Sequence, residues 1–250
     1  MVGGAHRTGS GIAPDIQHVR LKGGHATPRR HATQGSLEMK TFGEFTPFVT
    51  EQRERRDNFR TLLSCVLPRP IAFVSTVSKN GVPNLAPFSF FNGVGSNPPA
   101  VIFSPCTKAD GTSKDTLINL RAVGEFVVNV VPFSIKEAMN EASYAYPPEV
   151  NEFEKAGFTP LPSRFVRPPR VAESPVHMEC KLVQIVPVGD GPLSANICIG
   201  HVLCFHIAKE MVLADGTADV GKIDLVGRLG GEDYSTIRDR FTLPKPTPRA

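Results

Sequence analysis

At 250 residues, 40% of them hydrophobic and 21% charged, the chain is long enough to bury a sizeable core without disulfides or a structural metal. Its net charge of +4, part of it in the first 40 residues, supplies no clustered basic face of the kind a nucleic acid needs. Five cysteines (Cys65, Cys106, Cys180, Cys198, Cys204) form no CxxC pair and are odd in number, which argues against a disulfide framework and for a reducing, cytoplasmic compartment. No run approaches the roughly 18 apolar residues of a membrane span, and no apolar signal core follows Met1.

Residues 1–40 are rich in Gly, His and Arg and acidic only at Asp15 and Glu38. Such a segment buries too little apolar surface to offset its ordering entropy, so it reads as a disordered or spurious tail. An Arg-rich transit peptide, or a true start at Met39, are the alternatives. A single domain is expected over 41–250.

Within it, "IAFVSTVS" (71–78) reads as a strand and "KNGV" (79–82) as a tight hairpin turn. "NLAPFSFFN" (84–92) is expected as the return strand, "NPP" as a break, and "AVIFSP" (100–105) as a third strand. "SKDTLINLRAV" (113–123) has the spacing of a helix capped by Ser113 or Asp115. A buried strand (125–132) and a short helix capped by Ser134 (134–143) follow. Residues 144–175 are Pro-rich and are expected to be irregular. Two long strands, 176–188 and 197–208, are joined by the turn "GDGP", and "DLVGRLGGEDYSTI" (224–237) completes the domain. Short strands separated by turn signals, with few helices, indicate a mainly antiparallel barrel or sandwich.

Several motifs fail on inspection. "GTADVGK" (216–222) has phosphate-loop spacing, but Ile223 stands where the magnesium ligand belongs. "NGVGSNPP" (92–99) lacks the third glycine of a dinucleotide fingerprint, and its prolines cannot open a helix. "HMEC" (177–180) has the HxE of zinc deaminases without the PCxxC, and strand alternation places His177 and Glu179 together as surface polars. No GxSxG elbow occurs.

Two stretches fit one ligand. "TSKDT" (112–116) opens a helix whose free N–H groups and partial positive charge, with Lys114 and the Thr112, Ser113 and Thr116 hydroxyls, form a seat for phosphate. Residues 84–93 add Phe88, Phe90 and Phe91 for the face of a flat ring, and Ser89 and Asn92 for its polar edge. A phosphate-bearing planar heteroaromatic needs both.

"PRPIAFVSTVSKNGVPNLAPFSFFNGVGSNPPAVIFSP", "KDTLINLRAVGEFVVNVV", "NEFEKAGFTPLPSRFVRPPRVAESPVHMECKL", "GHVLCFHI" and "GRLGGEDY" occur in order, and over about 45–245 the chain resembles the flavin reductase-like proteins of the flavoredoxin-type branch. The resemblance implies an antiparallel Greek-key split β-barrel with a few short helices, in which a homodimer holds FMN near the subunit interface. It implies that Thr76 and Val77 border the flavin ring, that Ser89, Phe90, Phe91 and Asn92 meet its pyrimidine edge and ribityl chain, and that Lys114, Asp115 and Thr116 sit at the phosphate. Arg228 and Tyr234 are further candidates for lining the site. The implied activity is NAD(P)H-dependent flavin reduction, with NADH or NADPH as co-substrate. The alternative is an FMN-containing electron carrier that serves an acceptor protein without nicotinamide. One departure is that "SANICI" before Gly200 holds no His, where many two-component reductases carry an Asp-His pair.

Overall fold

The computed structural model describes residues 41–246. The tail expected over 1–40 lies outside them. The chain divides into two units, Met1–Pro47 and Phe48–Ala250. In the first, the described residues 41–47 carry no regular structure, and the first regular element is a 3-10 turn at Thr50–Gln52.

In chain order the second unit contains α1 (Arg55–Cys65), β1 (Arg69–Pro70), β2 (Ala72–Val77), β3 (Pro83–Phe88), β4 (Phe91–Ser96), β5 (Pro99–Phe103), α2 (Asp115–Val123) and β6 (Glu125–Asn129). A 3-10 turn leads into α3 (Lys136–Glu141), followed by α4 (Glu152–Ala156), β7 (Pro160–Leu161), β8 (Arg170–Val171), β9 (Val176–Val188), β10 (Ala195–Ile207), α5 (Val220–Ile223), β11 (Val226–Arg228) and β12 (Tyr234–Thr236).

Seven strands form one antiparallel sheet in the order β3-β2-β6-β9-β10-β5-β4. Its two edges, β3 and β4, are consecutive in the chain and joined only by Ser89 and Phe90. Laid flat, six strand spacings would hold those edges about 29 Å apart. Three peptide steps from Phe88 to Phe91 span at most about 11 Å. The sheet must therefore curl into a barrel that stays split between β3 and β4. This is the expected split β-barrel with a few short helices.

The run 84–92, expected as one return strand, is two strands on opposite sides of that split, bent at Ser89-Phe90. β3 tolerates Pro83 and Pro87 because an edge strand has no second neighbour waiting for their missing N–H groups. The turn at 79–82 is as expected: Ser78 N–H donates to Val82 O at 2.9 Å, and Gly81 adopts φ 84°.

The barrel interior is filled by Ala72, Val74, Phe88, Phe103, Phe126, Val128 and Cys198, with Leu117 and Leu120 of α2 packed against them. Three phenylalanines run through it: Phe88 and Phe103 have centroids 5.3 Å apart, and Phe103 and Phe126 are 5.2 Å apart. A second cluster covers the outer face of β2 and β3, where Ile71, Phe73 and Leu85 meet Met139 of α3 and Phe153 of α4. With one cluster on each face, β2 is buried at every position, so its sequence is nearly continuous rather than alternating.

Three further expectations differ from the structure. Neither Ser113 nor Asp115 caps α2: Lys114 occupies the N-cap position without a side-chain bond, and Ser113 Oγ accepts from Arg121. Ser134 likewise caps nothing, since it lies within the 3-10 turn that precedes α3. Residues 144–175 hold α4, capped by the Asn151 side chain, and the β7–β8 pair.

His177 and Glu179 are buried rather than surface polars. The preceding loop covers them and needs acceptors for backbone groups that no strand pairs. Glu179 accepts from Arg164 N–H at 2.8 Å and Phe165 N–H at 2.6 Å, and His206 Nε2 lies 2.6 Å from it.

Candidate functional site

A trough runs along β3 and over the β3–β4 bend, formed by two cavities that share Pro87 and Ser143. The larger, about 350 Å³, is walled by Phe59 and Leu63 of α1, Arg69, Ser89, Phe90 and, from β11 and β12, Arg228 and Tyr234. The smaller, about 200 Å³, holds Asn84, Lys108, Lys114, Asp115, Thr116 and Glu152.

At the smaller end, α2 presents its first turn, where Leu117 and Ile118 N–H donate to Lys114 O and the N–H groups of Asp115 and Thr116 ahead of them have no carbonyl partner within the helix. Lys114 sits at that N-cap, its ammonium 5.5 Å from the centre of the Phe88 ring. Burial lowers its pKa below the usual lysine value, and Lys108 adds to the effect against the pull of Cys106. Among the described residues Lys114 makes no ion pair; Asp115 leans instead toward Lys108, at 3.8 Å. Thr116 Oγ1 accepts from Asn84 Nδ2 at 3.0 Å. Glu152 accepts from Leu85 N–H at 3.1 Å, and burial pushes its carboxyl above the ordinary range, with Asp115 adding to the rise.

At the larger end Arg69 is buried and fixed by carbonyls. Its Nη1 donates to Leu63 O and Val66 O, and its Nη2 to Leu229 O, each at 2.8 Å. Its Nε donates to Ser89 Oγ at 3.3 Å. Ser89 thus spends a lone pair on Arg69 and keeps its own proton to donate. Arg228 and Tyr234 stand opposite each other across β11 and β12, with the guanidinium bonded to the hydroxyl and 4.4 Å from the ring centre. Two guanidiniums therefore border this cavity, and among the described residues no carboxylate lines it.

The structure brings Ser89, Phe90, Lys114, Asp115, Thr116, Arg228 and Tyr234 onto one trough. Thr76 and Val77 do not line it: both are buried, and Thr76 Oγ1 accepts from Asn119 at 3.1 Å. Phe91 packs against the barrel interior, and exposed Asn92 turns its carbonyl to Gly93 N–H at 2.8 Å. Of the three phenylalanines in the bend only Phe90 reaches the trough, edge-on to Phe59 at 6.3 Å. Arg69, Lys108, Asn84 and Glu152 were not among the expected residues. The sole hint in the sequence is Arg69 itself, a lone charge inside "VLPRPIAFV".

Residues 63–220 match the family model described as flavin reductase like domain. An uncharacterized protein of Halalkalibacterium halodurans is 44% identical over 195 residues, covering 77% of this chain and 93% of its own. The crystal structure of nitrilotriacetate monooxygenase component B from Bacillus cereus is similar at a TM-score of 0.77 and 35% identity, over 81% of this chain and 100% of that one. That of Pseudomonas fluorescens 2-nitrobenzoate 2-nitroreductase gives 0.72 and 30%, over 81% and 97%. By curled sheet, trough and sequence, the chain belongs to the flavin reductase-like domain family.

Proposed function

We propose that the trough binds FMN and that the protein is an oxidoreductase accepting hydride from NADH or NADPH and passing electrons to a second acceptor. The observation that carries this reading is Lys114, a cation that lines the trough at a helix N-terminus and has no anion partner among the described residues. A phosphate there would pair with the ammonium through charge-assisted hydrogen bonds and meet the positive end of α2.

Lys114, Thr116 and the first turn of α2 would hold the phosphate. Ser89, oriented by Arg69, would donate to the polar edge of the ring, with Phe90 beside it and Arg228 and Tyr234 across from it. Bound there, flavin supplies the hydride and electron chemistry. The chain's part is to orient the ring, exclude water and set the charge around it. The two guanidiniums make that surrounding positive and so favour electron uptake.

A homodimer is part of the proposal. It is supported by apolar surface around α1, where Phe59, Leu62, Val66 and Leu67 are all exposed. The five free cysteines support a reducing, cytoplasmic setting.

The test is an absorbance spectrum of the FMN-loaded protein under anaerobic NADH or NADPH. Bleaching of the flavin bands is the expected result. Bands that persist until dithionite is added would overturn nicotinamide use and favour an electron carrier. A protein that binds no FMN would overturn the reading altogether.

A further inference from the structure

The cavity at Lys114 also holds a carboxyl group that no cation among the described residues offsets. Glu152, the first residue of α4, is only 8% exposed and lines this cavity with Lys108, Lys114 and Asp115. Lys108 faces Asp115 at 3.8 Å, which leaves one cation and one acid over. Among the described residues neither Lys114 nor Glu152 forms an ion pair.

The Glu152 side chain is fixed from both sides. Asn151 caps the helix that carries it, and its Oε2 accepts from Leu85 N–H of β3 at 3.1 Å. Few titratable groups face it. α2 brings Lys114 and Asp115, and the loop before α2 brings Lys108. The turn after α3 brings Tyr144, and Tyr146 with its hydroxyl already bonded to Glu141. β3 brings Asn84, Ala86 and Pro87, none of which titrates.

Above about pH 6 a phosphate monoester carries two negative charges. Seated on Lys114, it would meet a second anion in the same small volume, and like charges at close range resist joint ionisation. Burial already pushes the Glu152 carboxyl above the ordinary range, and Asp115 adds to the rise. A protonated carboxyl is an O–H donor, and its bond to an anionic oxygen is among the stronger hydrogen bonds. One proton therefore converts the repulsion into a bond.

We propose that Glu152 is a binding residue for the phosphate, held to it by a proton that the protein takes up from solution as FMN binds. The proposal rests on the anion seat argued above. It makes that seat sensitive to pH. Over the range where Glu152 is ionised in the free protein and protonated in the complex, FMN affinity falls by up to about tenfold for each unit of rising pH.

The experiment is calorimetric titration of the full chain with FMN in buffers of different ionisation enthalpy, which counts the protons taken up. Riboflavin is the ligand without a phosphate, and Glu152→Gln the variant without an acid. In that range FMN is expected to bring up to about one proton more into wild type than into E152Q, and riboflavin no such excess. The amide can still donate to phosphate, so E152Q should bind FMN at least as tightly as wild type and lose the slope with pH. Equal proton counts in the two proteins would overturn the proposal. Equal counts with FMN and riboflavin weakened together would instead make Glu152 an acceptor for ligand hydroxyls. Should the variant not fold, infrared difference spectra of wild type decide: the C=O stretch of a newly protonated carboxyl must appear with FMN and not with riboflavin, and its absence overturns the proposal. FMN binding that is absent, or indifferent to Lys114→Ala, would overturn the anion seat itself. Lys114-dependent binding without the extra proton would overturn the role of Glu152 alone.

Discussion

Lys114 is the residue on which the phosphate reading turns. Lys114→Ala should weaken FMN binding by about 1–3 kcal/mol, the range for a hydrogen bond to a charged group, and leave riboflavin, which has no phosphate, unaffected. Fluorescence quenching with the two flavins measures both. Because burial lowers the Lys114 pKa, the ammonium is lost at a lower pH than an ordinary lysine. FMN affinity should therefore begin to fall on the alkaline side before the usual lysine range, and that limb should vanish in the alanine variant.

Glu179 has the opposite sign. Burial alone would raise its pKa, but the Arg164 and Phe165 N–H groups and His206 outweigh burial and hold it below the ordinary carboxylate value. A depressed acid stabilises the fold above its unfolded pKa and loses that contribution as pH falls through the folded one. Glu179→Gln should cost about 1–3 kcal/mol at neutral pH, and the gap to wild type should narrow as the solution is acidified. Urea unfolding at pH 7 and pH 4 checks it; parallel losses would rule out the clamp. Ser89, Lys114 and Thr116 were legible in the sequence because polar groups beside aromatics, or opening a helix, are local signals. Arg69 was not, because its partner Leu229 lies 160 residues away.

At the scale of elements the barrel closes around a glycine. A Cβ on Gly200 of β10 would lie 2.2 Å from Cζ of Phe126 on β6, closer than any packed carbon can stand. Gly200→Ala should therefore cost about 1–3 kcal/mol or more as an overpacked core. Phe126→Leu in the same chain should recover part of the loss, since contacting sites couple. Thermal melts of the single and double variants decide it, and strictly additive losses would place the strain elsewhere. β9 and β10 were legible to within two residues, because long antiparallel strands carry a sustained pattern between turn glycines. The helix α1 was not: none of its residues is buried, so "RRDNFRTLLSC" has no core-facing stripe to betray it. The break at Ser89-Phe90 was hidden for a different reason. Each half of 84–92 looks like strand, and only the curl of the whole sheet requires the chain to change edges there.

For the molecule as a whole, the interior of the described residues runs from Ile71 to Val226 and the trough from Phe59 to Tyr234. The family match begins at residue 63. Among the described residues, the sheet, both core clusters and the candidate site use nothing before α1, and the apolar area they remove from water supplies a driving force for folding within that span. Removing residues 1–40 should leave the melting temperature and the FMN content of the protein unchanged. A composition that cannot bury apolar surface contributes little to a core, but it can still cover a site or join two subunits. Differential scanning calorimetry and the flavin-to-protein absorbance ratio of the truncated chain separate these roles. A lower melting temperature would make the segment part of the fold. An unchanged melt with lost flavin would make it part of the site.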